Sequence, residues 1–140
     1  IITTRKDGLP KMPDALLDLD GVLRLQKMVE AIHLPQAVAE HIASLTAQTL
    51  PDGPETPEEV GRLVRYGASP RAAIWMAQVS KALALLDGRP GVGFEDVREV
   101  GPSVLGHRII LHYSARLDGE TGRNLAARLI TANEERILGK

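Results

Sequence analysis

The sequence predicts an all-α fold, a small bundle of about five to six helices around a central helix near residues 70–87. Composition is the first reason: 44% of the 140 residues are hydrophobic but only 3% are aromatic, so the core must be aliphatic. Such a mixture favours helices over a β-sandwich. Spacing is the second reason, because apolar residues recur every three or four positions along several segments and therefore share one helix face.

The first half of the chain begins with an irregular segment. Residues 1–17 mix Gly, Pro and charged residues without a period, and we interpret them as a connector. The helical domain begins at residue 18, and its first helix starts at Asp18 or Asp20. Pro35 opens a second helix with the same apolar period, and the Pro- and Gly-rich stretch LPDGPETP at residues 50–57 is a loop.

A capping box predicts the next, short helix. Thr56 is the expected N-cap, Pro57 occupies the first helical position and Glu59 the third, a pattern that satisfies free backbone N–H groups at a helix start. The apolar residues that follow keep helical spacing, and we expect this helix to end at Gly67.

The central helix runs from Pro70 to Asp87 and stops at Gly88. Ser69 is its expected cap, since a serine hydroxyl can bind a free N–H group and proline suits the first position. The Ala-rich sequence is apolar over most of its circumference, which predicts contacts on several sides. Arg71 is unusual there, because the positive end of the helix dipole disfavours a cation by about 0.3–1 kcal/mol at an exposed site.

The C-terminal part reads as shorter elements. FEDVREV predicts one short helix over residues 94–100, and Pro102 opens another. Residues 109–111 are either a brief extended piece or the end of that helix. An amphipathic helix is predicted over residues 121–131, where the domain ends, and residues 132–140 are interpreted as a frayed tail.

Several function classes are disfavoured by what the chain contains. The net charge of −1 gives no basic field for nucleic acid, the lack of cysteine excludes thiolate metal sites, and no apolar run is long enough for a membrane span. There is no GxxxxGK[ST] phosphate loop and no GxSxG motif. The four histidines are well separated, at His33, His41, His107 and His112. We therefore expect no catalytic residue and no metal site within these residues.

One candidate site remains, at the start of the central helix. Free N–H groups at a helix N-terminus attract anions, and the guanidinium of Arg71 can form two parallel hydrogen bonds to a phosphate. Gly67 and Ala68 would keep the approach free of bulk. The alternative is that Arg71 extends into water or pairs with an acid of the preceding helix, Glu58 or Glu59.

At this point a longer pattern becomes recognisable. The sequence resembles the C-terminal lid of MoxR-family AAA+ ATPases over roughly residues 14–130. Four motifs carry the resemblance: GASPRA at 67–72, K-A-x-A-L-L-x-G-R at 81–89, E-D-V at 95–97 and L-x-H-R at 105–108. Two positions depart from the family, because Gly93 stands where Ser or Thr is common and Gly106 where a larger or basic residue is common.

The resemblance implies a helical lid of the AAA+ type that follows an α/β nucleotide-binding core in the same polypeptide. ATP then lies between core and lid, with magnesium, and Arg71 matches the sensor 2 position, which reaches the γ-phosphate and couples hydrolysis to lid rotation. The implied nucleotide-binding residues are Arg71, Ser69, Ala68 and Gly67, acting with the core. Residues 1–17 would be the connector from that core.

The same resemblance implies partners and a role. The parent protein is expected to be a cytoplasmic ATPase that remodels or matures other proteins, whereas the 140-residue chain alone is not expected to be an enzyme or to bind ATP tightly. Expected partners are its own core, neighbouring subunits of a ring (six in the family), and a protein with a von Willebrand factor A-like domain. A stand-alone helical protein-interaction module without a nucleotide role remains the alternative.

Overall fold

The computed structural model describes residues 15–137, and the side chains as far as Glu135. This part of the chain forms seven helices and two short strands, which confirms the all-α prediction. In chain order they are α1 Leu19–Ala31, α2 Gln36–Gln48, α3 Glu58–Leu63, β1 Val64–Tyr66, α4 Pro70–Leu86, α5 Phe94–Gly106, β2 Ile110–Leu111, α6 Tyr113–Leu117 and α7 Gly122–Ile137.

Helix α4 is central in the described part of the bundle, since it packs against α1, α2 and α5. Its buried face consists of Ala72, Met76, Ser80 and Ala84, spaced four residues apart, and the small members let the neighbouring helices approach closely. Helix α5 also packs along α7. The largest fully buried apolar side chains come from several elements: Leu45, Val60, Val64, Met76, Val97, Leu105, Leu125 and Ile130.

The two strands were only partly anticipated. Strand β1 pairs antiparallel with β2, with Val64 opposite Leu111 and Tyr66 opposite Ile110. The first pair is buried and the second exposed, because opposite residues share a face. The prediction that the third helix continues to Gly67 is therefore wrong, since α3 ends at Leu63. Of the two alternatives left open for residues 109–111, a brief extended piece or the end of a helix, the structure shows the extended piece, as strand β2.

Helix α5 is one helix where two were predicted. It continues through Pro102, although proline removes one backbone hydrogen bond and crowds the preceding turn. Packing against α7 offsets this cost: Gly101 is buried, and a Cβ there would lie 2.4 Å from the Cδ1 atom of Ile130. Gly106 serves the same contact, because a Cβ there would lie 2.7 Å from the Cα atom of Arg123.

Helix α7 extends past the predicted boundary at residue 131 and ends at Ile137. Asn133 is buried, and its side-chain amide exchanges hydrogen bonds of 2.8 and 3.0 Å with that of Gln48 on α2. The frayed-tail interpretation is therefore wrong for residues 132–137, because this long-range pair holds the last turns. Residues 138–140 and most of the predicted connector, residues 1–14, lie outside the described residues.

The capping box predicted at Thr56 does not form. Pro57 is the N-cap residue of α3, and the Thr56 hydroxyl donates instead to the carbonyl oxygen of Leu50. Glu59 forms an ion pair with Arg128 of α7, with an N–O distance of 2.7 Å. The side chains of Thr56 and Glu59 are therefore both bound to other groups than the backbone N–H groups at the start of α3. A threonine hydroxyl commonly has such alternative local partners.

The turn between α4 and α5 is closed by the last residues of the K-A-x-A-L-L-x-G-R motif. Gly88 adopts the left-handed conformation, with φ of 70°, and redirects the chain. The Arg89 guanidinium then binds Asp96, with an Nη1–Oδ2 distance of 2.8 Å, and also Asp87. The Gly93 N–H group donates to the same Asp96 carboxylate at 2.8 Å, which caps α5 without a serine or threonine.

The same turn is joined to the turn between α1 and α2. His33 donates its N–H group to the Pro90 carbonyl at 3.0 Å and accepts from the Val92 N–H group at 2.9 Å. The α1–α2 turn and the α4–α5 turn are therefore hydrogen-bonded to each other at one end of the bundle. The GASPRA motif lies at the opposite end of α4.

Candidate functional site

The GASPRA motif is the turn from β1 into α4. Ser69 is the N-cap residue and Pro70 the first helical residue, as predicted from the sequence. The Ser69 hydroxyl, however, makes no capping hydrogen bond, and only its backbone carbonyl is used, accepting from the Ala72 N–H group at 2.7 Å. Both Ser69 and Arg71 are exposed.

Gly67 and Ala68 pack against the end of α2. The Ala68 N–H group donates to the Thr49 hydroxyl at 2.9 Å, and the Ala68 side chain is only 1% exposed. A Cβ on Gly67 would lie 2.3 Å from the Thr49 carbonyl oxygen. These residues therefore anchor the turn to α2, and the Ala68 N–H group is not free to bind an anion.

The Arg71 side chain projects from the first turn of α4 into solvent. Within the described residues it forms no ion pair, and the acids proposed as alternative partners are otherwise placed. Glu59 binds Arg128, and Glu58 is exposed on α3. No acidic residue lies in the first turn of α4. The positive charge at this helix end is thus uncompensated within the described region.

Large apolar side chains are exposed further along the same helix. Ile74 and Trp75, one turn after Arg71, are 63% and 51% exposed. Together with exposed residues of α1 they form what we call the α1–α4 apolar surface: Leu19, Val22, Leu25 and Met28 on α1, and Ile74, Trp75, Val79 and Leu86 on α4. The two helices are in contact, and Lys81 of α4 donates to the Glu30 carbonyl at 3.1 Å. Apolar surfaces of this kind on helical domains mark contact sites.

Two clusters of charged side chains within the described residues connect elements of the fold: Arg89 with Asp96, and Arg128 with Glu59 and Glu120. The Arg89 guanidinium holds the pKa of the Asp96 carboxyl below its usual range, and the Gly93 N–H group acts in the same direction. The Glu59 carboxylate, followed by Glu120, raises the pKa of Arg128. Neither cluster adjoins the GASPRA turn in sequence, and each ties two elements together.

Sequence reasoning missed Thr49. The residue falls at the end of the apolar period of α2, and nothing in the local pattern distinguishes it from other core positions. Its partner is Ala68, 19 positions away, so only the folded structure reveals the bond.

The described residues contain neither a metal-binding cluster nor a membrane-spanning helix. No group of three or more His, Cys, Asp or Glu residues in this range could hold a metal ion. None of the described helices is long and apolar enough to cross a membrane. His41, one of the four histidines, contacts the Phe94 ring edge-on instead, with centroids 5.3 Å apart.

Comparisons with known proteins place this geometry in a family. Residues 58–129 match the family model of the AAA lid domain. The chain is 32% identical over 122 residues to the chaperone MoxR1 of Mycobacterium tuberculosis, covering 84% of this chain and 31% of the relative. It is 30% identical over 101 residues to the protein MoxR of Methylorubrum extorquens, covering 69% and 29%.

A solved structure is similar to this chain in both fold and sequence. The crystal structure of a putative ATPase from Cytophaga hutchinsonii superposes with a TM-score of 0.75 at 30% identity, covering 80% of this chain and 34% of that chain. The chain thus spans about a third of the length of the proteins that it matches. The matched segment includes α4 and Arg71. The chain belongs to the AAA lid domain family, and the relatives that it matches include MoxR proteins.

Proposed function

We propose that this chain is the sensor 2 lid of a longer ATPase, closing over ATP that is bound to an upstream core. Arg71 would contact the γ-phosphate and couple hydrolysis to lid rotation, and so to the remodelling or maturation of other proteins. The observation that carries the proposal is the exposed Arg71 guanidinium, which has no ion-pair partner among the described residues. Its location at a helix N-terminus suits a phosphate.

The chemistry fits a charge sensor. A guanidinium presents fixed, parallel donors that match phosphate oxygens, and it can exchange partners when the γ-phosphate leaves. Ser69 would flank the phosphate, while Gly67 and Ala68 would set the turn that presents Arg71. Magnesium and the water-activating groups are assigned to the core, so the chain alone would neither hydrolyse ATP nor bind it tightly.

The α1–α4 apolar surface supports the proposed partners. It lies on the helix that carries Arg71, so a core that places ATP against Arg71 would cover it. We assign this surface to the upstream core, and assign further contacts to neighbouring subunits of a ring, which we propose to be hexameric. A partner with a von Willebrand factor A-like domain, and a cytoplasmic location, follow from the family alone.

The same apolar surface also favours a second candidate function, a helical protein-interaction module without a nucleotide role. Exposed large apolar residues such as Trp75 would serve a protein partner of either kind. The two candidates differ in what they require of Arg71, because only the lid needs its charge for turnover.

The test is the replacement Arg71→Ala in the full-length protein. Loss of a charged donor to the transferred phosphate should lower kcat for ATP hydrolysis by at least about a hundredfold. The midpoint of thermal unfolding should stay the same or rise slightly, since removing a cation from a helix N-terminus is favourable by about 0.3–1 kcal/mol. Steady-state hydrolysis assays and circular dichroism measure the two effects.

Arg123→Ala is the matched control. Arg123 is also an exposed arginine in the first turn of a helix, following Gly122 at the start of α7, so its removal has the same effect on a helix dipole. Turnover of this variant should equal that of the wild type. If Arg71→Ala hydrolyses ATP as fast as Arg123→Ala, Arg71 is not the sensor, and the interaction module becomes the better description.

A further inference from the structure

We propose that Thr49 is a positioning residue for Arg71. Its hydroxyl fixes the turn at Gly67 and Ala68, and this turn determines where α4 begins and where the Arg71 guanidinium is held. The inference rests on the proposed role of Arg71 at the γ-phosphate. It adds the C-cap residue of α2, 19 positions before Ala68.

The Thr49 hydroxyl is fully engaged. It accepts the Ala68 N–H group at 2.9 Å and donates to the Thr46 carbonyl at 2.7 Å, so it bridges the end of α2 and the start of the GASPRA motif. Thr49 is 1% exposed, and water therefore has little access to replace either bond. A buried N–H group that loses its acceptor is costly, which makes this bond a firm constraint on the turn.

Close backbone packing strengthens the same constraint. A Cβ on Gly67 would lie 2.3 Å from the Thr49 carbonyl oxygen and 2.9 Å from the Leu50 Cα atom. Both are backbone atoms that cannot move aside. Gly67 is not among the described glycines with positive φ, so its small size, rather than its conformational freedom, is what the position requires. The GASPRA turn thus packs against the C-cap residue of α2.

The position of Arg71 depends on the contact of Gly67 and Ala68 with Thr49, because no ion pair holds the Arg71 side chain within the described residues. The guanidinium projects from the first turn of α4, which begins at Pro70, two residues after Ala68. A displacement of about 1 Å of a group that must meet a reacting phosphate can lower a rate by about a hundredfold. Loosening the turn should therefore weaken the Arg71 contact without removing any group from it.

The test uses Thr49→Val in the full-length protein, which keeps the shape of the side chain but removes the hydroxyl. We expect kcat to fall by about tenfold, with a smaller change in KM. Thr49→Ser, which restores the hydroxyl, should recover most of the activity. Thr46→Val is the matched control, because the Thr46 hydroxyl is also buried on α2 but donates only within the helix, to the Ile42 carbonyl at 2.9 Å.

Combining Thr49→Val with Arg71→Ala distinguishes a positioning role of Thr49 from a general loss of structure. If Thr49 acts through Arg71, the double variant should be no slower than Arg71→Ala alone, since the contact is already lost. Gly67→Ala is an independent second variant: it keeps the Thr49 hydroxyl, displaces the turn, and should also lower kcat only while Arg71 is present. It serves as the test if Thr49→Val does not fold.

Failure of the positioning role of Thr49 can be distinguished from failure of the proposed sensor function of Arg71. If Arg71→Ala has no effect on turnover, the sensor proposal fails. If Arg71→Ala slows turnover but Thr49→Val behaves like Thr46→Val, only the positioning role is wrong. A slowing by Thr49→Val that persists undiminished in the Arg71→Ala background also overturns the positioning role, because Thr49 would then act by another route.

Discussion

Arg71 combines a stability cost with an available charge. It is exposed in the first turn of α4, where the helix dipole disfavours a cation, and no ion pair offsets that effect within the described residues. Arg89 is a contrasting case, because its guanidinium is bound to Asp96 and Asp87 and holds a turn together. Arg71 and Arg89 therefore have different environments: Arg89 is held by ion pairs, whereas Arg71 is exposed and forms no ion pair within the described residues.

The Arg89–Asp96 pair makes a prediction about pH. Because Arg89 lowers the pKa of Asp96 in the folded protein, protonation of this carboxyl opposes folding. Its stabilising contribution is therefore complete well above the pKa of about 3.9 of an unperturbed aspartate, and is lost as the pH falls through the folded value. We expect Asp96→Asn to be less stable than the wild type at pH 7, by a margin that narrows below about pH 4.

Urea unfolding of both proteins between pH 7 and pH 3 measures this margin. Glu99→Gln, a change of an exposed acid on the same helix, is the control and should show little difference at any pH. A margin for Asp96→Asn that stays constant down to pH 3 would mean that the ion pair contributes no pH-dependent stability.

Thr49 shows the limit of sequence reasoning at the residue scale. Arg71 was found because its charge conflicts with its position in a helix, a conflict visible in six adjacent letters. Thr49 conflicts with nothing: a threonine at the end of a helix is ordinary, and its bond to Ala68 crosses 19 positions. Polar residues that act through long-range hydrogen bonds leave no local signal.

At the scale of elements, local periodicity located α1, α2, α4 and α7. In α2, α4 and α7 the periodic apolar residues pack into the core, whereas in α1 most of them, including Val22, Leu25 and Met28, are exposed. The strands were missed or left open, because β1 and β2 are too short to show alternation and exist only through their mutual pairing. The single helix α5 was divided at Pro102, since its packing against α7 outweighs a local helix-breaking signal. Tertiary contacts decided each of these cases.

The last turns of α7 provide a test of such a contact. Asn133→Ala removes both hydrogen bonds to Gln48, so the buried Oε1 atom of Gln48 loses the donor from Asn133, while its Nε2 atom keeps the bond to the Ser44 hydroxyl. We expect the free energy of unfolding to fall by about 1–3 kcal/mol. Thr131→Ala, an exposed change on the same helix, should shift it by less than about 0.5 kcal/mol. Equal stabilities of the two variants in urea unfolding would indicate that the end of α7 contributes nothing to the fold.

At the scale of the whole molecule, two observations bear on the proposed core: the exposed α1–α4 apolar surface, and the small share of its relatives' length that the chain spans. The chain spans about a third of each matched protein, and large apolar residues stay exposed on the helix that bears Arg71. If the proposed core covers this surface, the same apolar side chains are buried in the full-length protein and in contact with water in the 140-residue chain.

Trp75→Ser tests what covers this surface. Trp75 is half-exposed in the described structure, so in the 140-residue chain the change should lower the unfolding midpoint only through the half that is already buried. In the full-length protein it should destabilise by more, because the apolar contact with the core is also lost, at about 25 cal/mol for each Å² that the core had buried. Gln78→Ser, an exposed change on the same helix, is the control. An equal loss of stability in both proteins would mean that the core does not cover Trp75.

The most direct test of the central claim is the nucleotide preference of the full-length Arg71→Ala variant. If Arg71 contacts the γ-phosphate, its removal takes away a charge-assisted hydrogen bond that only ATP offers, worth about 1.5–3 kcal/mol. Calorimetric titration with a non-hydrolysable ATP analogue and with ADP measures both affinities. We predict an affinity for the analogue that is about ten- to a hundredfold lower than in the wild type, with affinity for ADP unchanged. Equal losses for both nucleotides, or no loss for either, would contradict the account.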